Sequence, residues 1–342
     1  MVWITWRQHR AALIGMAILL GACALALGIT GLRMQAARAS LVRSGCGLFS
    51  APITSGCGSL QSAYFRAGYP LTSNISLLII VLSILPGVVG IFVGAPLLAR
   101  ELEAGTYRFA WTQATSRTRW VVAKLLLVGG TLTAAGGAFG ALAGWWLLAA
   151  DPEVFASRWQ AGQFGLTAVT FAAWTLLAFA LGAFAGALIR RTVPAMAATA
   201  ASVAALAGAT AWKLSNLLIS VGPVIHRAAL LTVTPFNFSP DAVSMPGGGM
   251  VIGPASSRVL RTWFTGPHGQ TYATYSSSMN PLWNLKEPSQ HAWLASHHLT
   301  LWIAYQPAGR FWIFQSIEGA AGLLLAVLLG AAAVFVVRRK AG

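Results

Sequence analysis

Six apolar runs, at about Ala11 to Leu32, Ile75 to Leu98, Val121 to Ala149, Phe164 to Ile189, Val193 to Trp212 and Trp312 to Val337, leave this chain one solvent for most of its surface. A helix rises 1.5 Å per residue, so roughly 20 apolar residues cross a hydrocarbon layer ~30 Å thick. It also satisfies its own backbone polar groups where there is no water to do so. With 56% hydrophobic and 9% charged residues, the 342-residue chain lacks the charge that covers a soluble globule, where about a quarter of residues are ionic. The expected fold class is all-α: a polytopic membrane protein with six transmembrane helices.

The cations orient it. With the N-terminus inside, the segments 1–10, 99–124, 190–192 and 338–342 face the cytoplasm and carry 12 of the 23 Lys/Arg residues. Such density in short loops favours N-in and C-in, although Arg33, Arg38 and Arg43 after the first run oppose it. The net charge of +16 is then a topology and lipid-headgroup signal, with membrane lipids as partners. No nucleic acid is expected, because the cations form no single basic face. Arg7, His9 and Arg10 followed by an apolar run resemble a signal peptide, and Leu20-Gly21-Ala22-Cys23 a lipoprotein cleavage pattern. The run continues through Leu32, which favours an uncleaved first membrane helix, with Trp3 and Trp6 at the headgroup layer.

Between the second and third runs lies RELEAGTYRFAWTQATSRTRWVVAK, residues 100–124. It gathers two of the seven acids, Glu101 and Glu103, with Gly105, Thr106, the aromatics Tyr107, Phe109 and Trp111, and the pair Ser116-Arg117. Carboxylates beside aromatic anchors have the composition of a docking loop, set against a plain cytoplasmic loop whose aromatics rest at the headgroups. This segment resembles the first cytoplasmic loop of ABC-2 type transporter permeases, where an acidic stretch runs into Gly-Thr and then Ser-Arg. The string Trp6 to Arg10, and Tyr305-Gln306-Pro307-Ala308-Gly309-Arg310-Phe311-Trp312 followed by Phe314-Gln315 and Glu318, are similar to the ends of actinobacterial members of that family.

The resemblance implies the membrane subunit of an ABC exporter in the bacterial cytoplasmic membrane. It further implies a separate ABC ATPase subunit as partner, and a second permease subunit in a homodimer or with a paralogue. The helix around Glu101 to Arg108, offering its carboxylates on one face, would sit in a cleft of the ATPase and couple hydrolysis to the membrane helices. The chain itself has no Gly-Lys-Ser/Thr phosphate loop, nucleophile elbow, His-Glu-x-x-His or Cys-x-x-Cys pattern. It is therefore expected not to be an enzyme and to bind no cofactor or metal; ATP and Mg would act through the partner. Two other classes stay open: an ATP-independent channel or carrier, and a polytopic sensor or assembly protein with a ligand-binding cap. Drug, peptide and lipid are all open as substrates.

Three domains are expected: 1–212 with five helices, a cytoplasmic coupling loop at about 99–120 and an external loop at 33–74; an extracytoplasmic cap at 213–311; and 312–342 with the sixth helix and a basic tail. Gly136, Gly140 and Gly144, and Gly182 with Gly186, repeat every fourth residue and suit close helix packing. Pro86 is expected to kink the second run. Glu318 is the acid within the sixth run, and an ionisable group in hydrocarbon is a functional flag. Cys46 and Cys57, each set between glycines with ten residues between them, suit a disulfide on an oxidising face or plain turn chemistry. In the cap, Leu214 to Val224 and Ala228 to Val233 are expected as short helices, with strands or helices over Thr262 to Tyr275 and Trp293 to Tyr305. His268, His291, His297 and His298 lack companion ligands at metal spacing.

Overall fold

The computed structural model describes residues 2–46, 57–69, 71–105, 117–150, 159, 161–220, 222–227, 230–231, 242–244, 250–252, 258–274, 277–285 and 289–340. Among them are six helices long and apolar enough to cross a membrane.

Helix α1 (Val2–Arg43) outruns the first apolar run by three turns. Residues 33–43 contain neither Gly nor Pro, so nothing breaks the hydrogen-bond ladder until Gly45, whose φ of 67° ends it. The Cys46–Cys57 disulfide, with Cα atoms 5.7 Å apart, joins this end to α2 (Cys57–Gly68). Buried Tyr64 of α2 donates its hydroxyl to the carbonyls of Ala149 and Ala150, at 2.8 and 2.7 Å. Those carbonyls end α5 (Arg117–Ala150), where the last turn has no intrahelical donors.

The second span is α3 (Ile75–Val89), a π-helical turn over Gly90–Gly94, and α4 (Ala95–Ala104). Pro86 lies inside α3 and cannot donate a backbone hydrogen bond. The wider turn begins four residues later, and its ends, Gly90 and Gly94, abut the backbone of Ala178 and Phe179 on the next helix but one. That helix, α6 (Ala168–Ile189), is the most enclosed span. Thr167 caps its start, and Arg190, at φ 59°, ends it by donating its N–H to Gly186 O. A two-residue link leads to α7 (Thr192–Ser220). The last span is α9 (Phe311–Lys340).

The all-α expectation holds for this bundle and fails between α7 and α9. A four-stranded antiparallel sheet runs β1 (Val224–Arg227), β7 (Thr300–Gln306), β5 (Arg258–Thr265), β6 (Thr271–Ala273) in spatial order. A smaller sheet pairs β2 (Leu230–Leu231) and β3 (Ala242–Ser244) with β4 (Met250–Ile252). Of the expected helix at 214–224, residues 214–220 are helical as the end of α7 and Val224 opens β1; within the expected helix at 228–233, the described residues Leu230 and Leu231 form strand β2 instead. Alternation drives the change: Phe264, Leu301 and Ile303 turn inward against Met279, Leu282 and Leu294, the last on helix α8 (Ser289–Ser296). The first and last strands meet with Ile225 opposite Ala304, a pairing about 80 residues long in sequence. Arg310 locks the sheet to α9 by donating to Gly222 O at 2.6 Å and Gln306 Oε1 at 2.9 Å.

Candidate functional site

The last turn of α4 carries both acids of the docking segment on a helix, as expected, but not on the one face expected of them. Residues two apart on a helix point about 200° apart, so Glu101 and Glu103 share no face. Glu101 turns inward, is buried, and pairs with Lys124 Nζ of α5. Lys124 also sits 4.4 Å from the centroid of the Trp120 ring. Glu103 turns the other way and its Oε2 accepts from Thr192 N at 2.9 Å and Thr192 Oγ1 at 2.7 Å. A carboxylate there satisfies one orphan amide and suits the positive end of the α7 dipole. Gly105, at φ 68°, then ends α4 in the left-handed region that suits glycine.

Three helices thus meet at one junction, held by an ion pair and a cap, over an apolar floor of Leu98, Trp120, Val121, Ala183, Ala187 and Ala333. Thr106, Tyr107, Phe109, Trp111 and Ser116 lie outside the described residues; Arg117 opens α5.

The glycines place backbones in contact. A Cβ on Gly136 would lie 2.6 Å from Thr175 Oγ1, on Gly140 2.6 Å from Thr167 O, and on Gly144 3.0 Å from Leu166 O, all on or beside α6. Gly182 abuts Gly90 and Ala95, and Gly186 abuts Ala95. The first half of α6 therefore packs on the glycines of α5 and its second half on the π turn and α4, along nearly the same face, since residues seven apart such as Thr175 and Gly182 point within about 20° of each other.

A polar seam crosses the opposite half of the bundle. Fully buried Gln315 accepts from the hydroxyls of Thr167 (2.7 Å) and Thr170 and donates Nε2 to Phe164 O at 2.8 Å. One turn on, Glu318 Oε1 accepts the indole N–H of Trp174 at 2.8 Å. Glu318 borders a cavity of about 560 Å³ between α3, α6, α7 and α9. In the sheet region His297 stacks on Trp293 at 4.1 Å between ring centroids, and among the described residues no three His, Cys, Asp or Glu side chains gather as a metal site.

Lys124, Thr192, Gln315 and Trp174 were not singled out by sequence. Gln315 and Glu318 share one turn of an otherwise apolar helix, a signal that points to the seam. Nothing local marks Thr192 as the partner of a residue 89 positions away.

Six helices among the described residues, long and apolar enough to cross a membrane, point to a multi-pass membrane protein. A profile described as ABC-2 membrane transporter related matches residues 17–214, and the chain belongs to that family. No match emerges among curated proteins or among solved structures. Membership makes the chain a transporter permease subunit and implies an ABC ATPase as its partner.

Proposed function

We propose that this chain is the permease of an ATP-driven exporter in the bacterial cytoplasmic membrane, oriented N-in and C-in, with two permease and two ATPase subunits in the working unit. ATP and Mg act in the ATPase subunits. The junction at Glu101, Glu103 and Gly105 faces the cytoplasm, the cation-dense side, and the sheet-bearing segment faces outward.

The observation that carries this reading is the way α4 ends. A segment gripped by an ATPase moves a permease only if the motion enters helices without being absorbed by a flexible joint. Here the ion pair to Lys124 and the cap on Thr192 tie the end of α4 to the starts of α5 and α7. Tyr107, Phe109 and Trp111, continuing from Gly105, supply the apolar anchors for the partner's cleft. Glu101 acts inside the permease, as the linkage between docking segment and bundle.

The test is co-purification of the permease with its ATPase, with substrate-stimulated hydrolysis as second readout. Phe109→Asp places a charge in the interface and should abolish association, since an unpaired buried interface charge typically costs ~2–5 kcal/mol. Glu103→Gln should leave association intact and lower stimulation, because it weakens the tie to α7. Full association and stimulation in Phe109→Asp would reduce the segment to an ordinary loop.

A further inference from the structure

Glu318 stands between two cavities. The larger, about 560 Å³, is lined by Ile80, Ile84, Phe171, Val203, Ala207 and their neighbours. The smaller, about 140 Å³, lies among Ala173, Leu177, Leu206 and Leu325. Trp174 and Thr210 border both. Ile80 and Ile84 are 59% and 56% exposed, so the larger cavity opens on the outer, lipid-compatible surface of the bundle.

Its walls are apolar and aromatic. Ser83 and Thr210 are the neutral hydroxyls, Ser83 donating to its own helix at Ile79 O, 2.7 Å away. Among the described residues Glu318 is the charged group in the lining, and no Lys or Arg accompanies it there. Among the described residues its carboxylate has one hydrogen bond, from Trp174, and no ion pair. A carboxylate in hydrocarbon surroundings without a counter-charge is costly. An occupant bearing one positive charge offsets that cost, and Trp174 beside the carboxylate adds a ring face that attracts cations.

We propose that this cavity binds an amphipathic organic monocation, an apolar body with one positive centre, drawn from the surrounding bilayer, with Glu318 as the charge-selecting residue. The volume falls within the 300–1,000 Å³ typical of small-molecule sites, which are likewise mostly apolar with few polar groups. A hydrophobic body fills the walls between α3 and α7 and places its charge toward α9. The inference deepens the exporter reading by naming the substrate class; it rests on that reading for transport, but not for binding.

The experiment uses the full-length permease in lipid nanodiscs, without ATPase or nucleotide, with empty discs subtracted. The probes are tetraphenylphosphonium and tetraphenylborate, two ions of nearly the same shape and opposite charge. The wild-type protein should bind the cation at least about tenfold more tightly than the anion. Glu318→Gln keeps an oxygen to accept from Trp174 and should remove that preference. Val203→Trp fills the cavity and should abolish binding of both ions. Equal affinity for the two ions in the wild type, or an unchanged cation preference in Glu318→Gln, overturns the proposal. Should Glu318→Gln fail to give monodisperse protein, the wild-type comparison and Val203→Trp decide: cation binding that survives Val203→Trp is equally fatal. Loss of binding here leaves ATPase association untouched, and loss of that association leaves this binding untouched, so the two readings fail separately.

Discussion

Substituting alanine at three glycines of α5 separates close backbone packing from simple helix propensity. At Gly140 a new Cβ would lie 2.6 Å from Thr167 O and 2.6 Å from Phe171 Cβ, where ordinary contact begins at 3.4 Å. The difference, 3.4 minus 2.6, is 0.8 Å of forced separation. Thr167 O is backbone and accepts from Phe171 N at 2.9 Å, so it cannot rotate away. Overpacking against such a wall costs ~2–3 kcal/mol, the upper part of the range for extra methyl groups. The gain in helix propensity from Gly to Ala returns at most ~1 kcal/mol, leaving Gly140→Ala ~1–2 kcal/mol less stable. At Gly136 the obstacles are the buried Thr175 hydroxyl at 2.6 Å, held by its hydrogen bond to Phe171 O, and Thr175 Cβ at 3.1 Å, so Gly136→Ala should also be destabilising, by ~1–2 kcal/mol. At Gly130 nothing lies within 4 Å, and Gly130→Ala should be neutral or stabilising by up to ~1 kcal/mol. Unfolding in a mixed-micelle titration, followed by tryptophan fluorescence, reads all three. If Gly140→Ala proves as stable as Gly130→Ala, α5 and α6 do not meet backbone to backbone at Thr167, and the assigned packing is wrong.

Breaking the buried pair one-sidedly by Lys124→Met should destabilise the permease by ~3–5 kcal/mol, whereas the double substitution Glu101→Leu with Lys124→Met should recover most of that loss; equal stability of single and double variants in the same titration would refute the pairing. Gln315→Leu leaves the Thr167 and Thr170 hydroxyls without their shared acceptor and Phe164 O without its donor, and should cost ~1–3 kcal/mol in the same titration; unchanged stability would refute the seam. Non-reducing mass mapping of protein from oxidising membranes should yield one cross-linked peptide containing Cys46 and Cys57, with Cys23 free, and two free thiols would count against the bond. A thiol at Arg191 should be shielded from an impermeant reagent in intact cells while one at Pro254 reacts; the reverse pattern would invert the orientation.

Hydrophobic runs about as long as a bilayer is thick determined the number of spans and their approximate places from sequence alone, because each helix closes its own backbone hydrogen bonds and needs no distant partner to form. Glycines every fourth residue likewise marked the stripe of α5 that meets α6 and the stripe of α6 that meets the π turn and α4. The exact ends did not follow: α1 runs on to Arg43 and α4 to Ala104 because polar residues without a breaker continue a helix as readily as apolar ones. The sheet was half legible: strands or helices were expected over 262–275 and 293–305, where β6, most of β7 and part of β5 fall, while its pairings, such as Val224 with Tyr305, are non-local and no local signal specifies them.

The docking segment was legible as a composition, and its acids were singled out, yet their directions were decided by tertiary structure. Two residues apart on one turn, Glu101 and Glu103 were committed to opposite sides once the helix extended through them. Their partners, Lys124 and Thr192, then depended on which helices pack beside that turn. Glu318 was visible as an acid in a membrane span, whereas its cavity exists only because α3, α6, α7 and α9 leave a gap around it. Sequence determines which groups must leave water; three-dimensional packing determines what each of them meets.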